Sequence, residues 1–155
     1  MERIEEALDL AELRAGERLV DLGSGDGRVL LSAARRGARA LGYELDSDLA
    51  SQARDLAARA GLDIEVVEED YRRVAIEAEV VYAFLTPAAV SRLRPQLSRM
   101  APGSRVVLAY YPIPGWRKQG TRSGCHLYRI PATELAEPGT AGWNCDAILI
   151  APPAD

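Results

Sequence analysis

The sequence predicts an α/β fold, a three-layer sandwich in which helices cover both faces of an open, mostly parallel sheet. Three observations predict it. Short apolar runs alternate with segments of helical period from Arg18 to Tyr111, the signature of parallel βαβ units. The first strand-to-helix junction, Val20–Arg28, is glycine-rich, as it must be where backbone turns sharply or meets a ligand. Finally, 155 residues of 48% hydrophobic content suffice for one core and fall short of two, so a single domain over residues 1–155 is expected.

The elements follow in order. Ile4, Ala7, Leu8 and Ala11 fall on one face of a helix over Glu2–Leu13, and Gly16 ends the linker after it. Arg18–Leu22 is a strand, Arg28–Arg36 a helix, Ala38–Glu44 a strand, Ser47–Ala60 a helix and Asp63–Val67 a strand. Glu79–Leu85 is the fourth strand. Val90, Leu93, Leu97 and Met100 align along a helix over Ala88–Met100, which Pro95 should kink or divide. Ser104–Tyr111 is the fifth strand, and Pro102-Gly103 turns into it. Tyr111–Gly124, rich in Pro, Gly and Arg, reads as a loop. Two last strands, Cys125–Ile130 and Cys145–Ile150, have no helix between them and should pair antiparallel across the turn-forming Pro138–Gly142.

Composition narrows the function. A net charge of −4 and a pI near 5.1 disfavour a polyanion-binding surface, so a nucleic-acid partner is not expected. No apolar run approaches the roughly 20 residues that cross a bilayer, and Met1–Glu6 is acidic and amphipathic, unlike a secretory leader. A cytoplasmic protein without membrane attachment is expected. Cys125 and Cys145 lack metal-ligand spacing and are too few for a disulfide framework, which predicts reduced thiols and no metal. The sequence specifies no oligomeric state.

Chemistry concentrates at Val20-Asp21-Leu22-Gly23-Ser24-Gly25-Asp26-Gly27-Arg28. Gly23, Gly25 and Gly27 alternate where a strand enters a helix, which clears side chains from the approach of a ligand. A dinucleotide fingerprint needs its third glycine at position 28, where Arg28 stands, and no Lys-Ser or Lys-Thr pair follows to make a nucleoside-triphosphate loop. The carboxylate of Asp21 suits a ligand with an ammonium group. Glu44 ends the second strand, where a carboxylate accepts both hydrogen bonds of a ribose diol, and Asp70 follows the third, within reach of an exocyclic amine. Three acids at successive strand ends match the layout of an amino acid, a ribose and an adenine, which is that of S-adenosylmethionine.

On these residues the chain resembles the class I, seven-strand, Rossmann-like S-adenosylmethionine-dependent methyltransferases over nearly all its length. The resemblance implies that Val20–Arg28 holds the methionine end of the cofactor, that Glu44 takes the ribose, that Asp70 contacts the adenine, and that Leu45 and Tyr71 flank its ring. It also implies the sheet order 3-2-1-4-5-7-6 with the seventh strand reversed. Gly42-Tyr43-Glu44-Leu45, Tyr111-Pro112-Ile113-Pro114-Gly115-Trp116 and the short third crossover look most like the small protein-lysine methyltransferases, both the archaeal broad-specificity enzymes and the mitochondrial enzymes acting on an ATP synthase subunit. Those relatives carry residues before the first helix that help close the site, and the mitochondrial members an apolar anchor; with this sequence starting at Met1, neither a lid from such residues nor an anchor is expected.

Methyl transfer from a sulfonium is an in-line displacement that demands alignment and exclusion of water more than reactive side chains. Phe84-Leu85-Thr86-Pro87, after the fourth strand, lacks the Asn/Asp-Pro-Pro-aromatic pattern of enzymes that methylate amide or nucleobase nitrogens. A lysine amine, guided as a cation by aromatic faces, fits Phe84, Tyr110, Tyr111 and Trp116 as the acceptor wall. His126, the single histidine, reads as structural. Methylation of protein lysine leads; a small-molecule acceptor or a non-catalytic cofactor-binding domain stays open.

Overall fold

The computed structural model describes residues 2–135. Seven strands form one sheet: β1 (Arg18–Leu22), β2 (Arg39–Tyr43), β3 (Ile64–Val67), β4 (Val80–Ala83), β5 (Arg105–Ala109), β6 (Gly120–Arg122) and β7 (Cys125–Arg129). Their order is β3-β2-β1-β4-β5-β7-β6. β1 to β5 run parallel, whereas β7 is antiparallel to both of its neighbours. The order and the reversed strand agree with the sequence reading, as do the helices on both faces.

The central strands form because, Arg105 apart, β4 and β5 have non-polar or aromatic side chains on both sides, and every residue of the two is buried. Helices α1 (Glu2–Leu10), α2 (Arg28–Arg35) and α3 (Ser47–Ala60) pack on one face through Leu8, Leu30, Ala50 and Ala53. Among the described residues the other face carries one α-helix, α4 (Pro87–Leu97), whose Val90, Leu93 and Leu97 are buried, each side chain contributing about 1.5–3 kcal/mol. Local chemistry sets the boundaries. Asp46 caps α3 by accepting from the backbone N–H groups of Asp48 and Leu49, and Gly61 ends it at φ 64°. Thr86 caps α4, with Pro87 in its first turn.

Three expectations are corrected. α4 runs unbroken through Pro95 and stops at Leu97, because the proline sits close enough to the C-terminus that its missing donor ends the helix instead of dividing it. The loop expected over Tyr111–Gly124 contains β6, a three-residue edge strand. Cys125–Arg129, expected to pair with Cys145–Ile150, lies between β5 and β6, and the hairpin β6–β7 is turned by Ser123 (φ 49°) and Gly124 (φ 77°). Cys145–Ile150 and the turn Pro138–Gly142 lie outside the described residues.

One buried ion pair fastens α1 to the sheet. The Arg105 guanidinium, at the start of β5, donates to the carbonyls of Ala11 (2.9 Å) and Glu12 (3.0 Å) and to Glu17 Oε1 (2.5 Å). Truncation to alanine strands two carbonyls and a carboxylate, so Arg105→Ala should lower unfolding free energy by about 3 kcal/mol or more. Urea denaturation checks this, and a loss below about 1 kcal/mol contradicts it.

Candidate active site at the carboxyl edge

Asp21 lies near the C-terminal end of β1, 2% exposed. The turn that follows carries three positive φ angles, at Gly23 (79°), Gly25 (55°) and Gly27 (81°). β2 holds it in place: Gly23 and Ser24 donate their N–H groups to the Tyr43 carbonyl (2.9 and 3.0 Å), and Gly25 donates to Glu44 Oε2 (2.8 Å). The other Glu44 oxygen accepts from Asp46 N–H (2.9 Å). The glycines differ in purpose. A Cβ on Gly25 would meet nothing within 4 Å, which leaves its backbone open to a ligand, whereas one on Gly27 would lie 2.7 Å from Ala53 Cβ. Gly27 thus permits α2 and α3 to pack.

Asp21 forms no ion pair among the described residues. Burial pushes its carboxyl up to about 8, and the nearby Glu44 and Asp26 carboxylates push the same way. A cationic group is what this pocket lacks. Ser24 Oγ, beneath the turn, is also buried without a hydrogen-bond partner among the described residues.

Two strands away, Asp70 accepts from Arg72 N–H (3.0 Å) and pairs with the Arg72 guanidinium (2.6 Å), which holds its carboxyl at about 2. Tyr71 follows, half-buried in a single 3-10 turn over Tyr71–Arg73. Leu45, just beyond Glu44, is 65% exposed. On the opposite side of β1, Phe84 leaves β4 and Tyr110 leaves β5, their ring centroids 5.1 Å apart, and both are exposed, as is Tyr111. The edge therefore divides into an acidic half at β3, β2 and β1 and an aromatic half at β4 and β5.

Tyr110 is held in a left-handed conformation, φ 66°, that costs a non-glycine residue about 1 kcal/mol or more. Its N–H donates to the Gly124 carbonyl (2.7 Å), and its carbonyl accepts from His126 Nε2 (3.1 Å). A carbonyl only accepts, so Nε2 carries the proton and Nδ1 accepts from the Thr121 hydroxyl (3.4 Å). Burial and Lys118 lower the His126 pKa, which keeps this arrangement neutral. The Arg3 guanidinium lies 4.6 Å from the Tyr110 ring centroid, so this ring face already holds a cation.

The profile of the ANTKMT methyltransferase domain matches residues 21–120, which run from the buried aspartate to β6. The chain belongs to this family. The mouse adenine nucleotide translocase lysine N-methyltransferase is 39% identical over 120 residues, covering 74% of this chain and 52% of that protein. A protein-lysine N-methyltransferase of Saccharolobus islandicus is 31% identical, covering 70% and 71%. Among solved structures, an RNA methyltransferase of Salinibacter ruber in complex with S-adenosyl-L-homocysteine superposes with a TM-score of 0.77 at 36% identity, covering 83% and 88%. The chain spans about half the length of the animal lysine methyltransferases that it matches.

In this member of the family the structure gathers Asp21, Gly23, Gly25, Glu44 and Leu45 around the first turn, places Asp70 and Tyr71 beside them, and sets Phe84, Tyr110 and Tyr111 across β1. Trp116 is a correction. It is 2% exposed, packs edge-on against Tyr128 with centroids 6.0 Å apart, and donates its indole N–H to Glu134 (3.1 Å). The loop folds this ring into the core, leaving it no face for an acceptor. The part His126 plays in setting Tyr110 was not foreseen; its sole signal was a histidine two residues after the hairpin glycine.

Asp21 makes the ligand-free protein sensitive to pH. Its folded pKa is raised above the ordinary value of 3.8 to about 8, so the native state keeps a proton that the unfolded state has lost. This contribution destabilises the fold as pH rises from about 4 to about 8, by up to about 5 kcal/mol. Asp21→Asn should remove it, and thermal melts of the two proteins should diverge with rising pH, the variant being the more stable. Parallel curves would contradict the assignment.

Proposed function

We propose that the chain binds S-adenosylmethionine at the acidic half of this edge and N-methylates lysine side chains of a protein held at the aromatic half. The observation that carries the reading is the buried, cation-less Asp21 beneath the open backbone of Gly25, next to an exposed aromatic pair. When bound, the cofactor supplies an electrophilic methyl group on a sulfonium sulfur. Asp21 would pair with its ammonium, the Gly23 and Gly25 backbone would admit its methionine end, and the spare lone pairs of Glu44 would accept from the ribose hydroxyls. Asp70, kept ionised by Arg72, would accept from the adenine amine, with Leu45 and Tyr71 against the ring.

Phe84, Tyr110 and Tyr111 would exclude water and aim the amine in line. The amine would arrive as a cation and give up its proton to solvent before attacking the methyl group. The contact Arg3 makes with Tyr110 supports a cationic acceptor. Lysine methylation by the mouse and archaeal relatives, which their names state, supports the same acceptor. The Salinibacter protein favours RNA instead, but the net charge of −4 speaks against a polyanion.

Labelled adenosylmethionine incubated with the chain and a cell extract should leave label in protein, recovered as methyllysine after hydrolysis. Label in RNA or in small molecules overturns the acceptor, and binding without transfer to anything overturns the enzymatic reading.

Two variants probe the halves separately. Gly25→Val, strained at positive φ and obstructing the cradle, should abolish calorimetric binding of adenosylhomocysteine while the circular dichroism spectrum persists. Phe84→Ala should leave that affinity unchanged and raise the KM for the protein acceptor about tenfold. Because a cationic ligand favours ionised Asp21, affinity should also climb with pH toward about 8 in the parent protein and stay level in Asp21→Asn.

A further inference from the structure

The faces of the sheet are covered unequally. Three helices lie on one; on the other, α4 is the one α-helix among the described residues, and the crossover from β3 to β4, residues 68–79, runs beside it where a doubly wound sheet ordinarily places a helix. The single 3-10 turn in that crossover leaves a groove of about 670 Å³ against the flank of α4. Its floor is apolar, with Ile76 and Leu93 at the bottom and Ala89 and Pro95 along the side. Its walls are fixed, since Gln96 Nε2 donates to the carbonyls of both Tyr71 (2.6 Å) and Val74 (2.6 Å) and so ties the crossover to α4.

Around this floor stand Arg73, Arg92 and Arg99, all exposed and none in an ion pair among the described residues. A fourth arginine, Arg72, is already paired with Asp70. Glu77 is the one acid lining the groove. Three arginines outside any ion pair among the described residues, against the one acid Glu77, give the groove an excess of positive charge in a chain of net charge −4, a field that a complementary anionic ligand would relieve.

We propose that this groove docks an acidic amphipathic segment of a partner protein, whose carboxylates meet Arg73, Arg92 and Arg99 while its apolar side chains cover Ile76 and Leu93. An apolar floor with Tyr71 as its one aromatic offers a nucleic acid little to stack on. A peptide helix matches both floor and rim. None of Phe84, Tyr110 and Tyr111 lines the groove, so the proposal holds whatever the methyl acceptor is.

A fluorescein-labelled helical peptide of Glu and Leu, with leucines at alternating three- and four-residue spacing, serves as the probe. Fluorescence anisotropy should detect binding that weakens with added salt and falls about tenfold or more in the triple variant R73E/R92E/R99E. The same peptide with Lys in place of Glu should not bind. Thermal unfolding verifies that the variant is folded, and R73Q/R92Q/R99Q replaces it if the reversed charges prevent folding. The proposal is overturned if the Glu/Leu peptide fails to bind, if its affinity survives in the folded variant, or if oligouridylate binds through the same arginines in its place.

Discussion

Three of the five residues in the turn Gly23–Gly27 have no side chain with which to hold its shape, so the neighbouring strand holds it. The Tyr43 carbonyl receives two of its N–H groups and the Glu44 carboxylate a third. These bonds are available because β1 and β2 are in parallel register, Asp21 opposite Gly42 and Leu22 opposite Tyr43. Gly42 is part of the same constraint, since a Cβ there would collide with Ser24 Oγ and Leu30. The turn, its acid and the end of β2 are one unit. The same carboxylate that braces Gly25 also helps to keep Asp21 protonated, so rigidity of the turn and the charge it lacks have a common source.

That arrangement opposes stability to function in a definite place. A carboxyl group buried with no cation beside it is a liability for an empty domain, and the rest of the fold offsets it by ordinary means: fully buried central strands, capped helices, and Arg105 reaching from β5 to the end of α1. The offset is lopsided. Packing is thickest under α1, α2 and α3, whereas the opposite face relies on α4, the Trp116–Tyr128 contact and the bond from Ile113 N–H to the Tyr128 hydroxyl (2.9 Å). The groove beside α4 lies on the thinner side.

Much of this was legible in the chain, and what was not has physical reasons. β1 and α3 stand where periodicity puts them, because their signals are local: an apolar run before glycine, and a helical period over Ser47–Ala60. β6 was illegible because Gly120-Thr121-Arg122 has no apolar alternation and depends on β7 for its pairing. Trp116 misled for a similar reason. A tryptophan in a Pro-rich loop reads as exposed until the loop is seen to fold back onto Tyr128. Glycine spacing located the turn correctly, yet spacing could not say that Gly25 opens toward solvent while Gly27 admits Ala53, since that difference arises in α3, more than twenty residues on.

The division of the carboxyl edge explains why so few reactive groups are found there. Sheet order sets β1 at the middle, so whatever the turn holds lies between acids contributed by β2 and β3 and rings contributed by β4 and β5. A reaction that needs only alignment and dryness is served by such a border without a nucleophile or a metal on the protein's side. What the aromatic half requires is a fixed backbone, and the strained Tyr110 has one: Gly124 and His126 grip its peptide from the β6–β7 hairpin. The hairpin that closes the sheet therefore also sets the ring at its mouth. Placement of the Tyr110 ring depends in this way on residues that sequence alone marks as edge and turn.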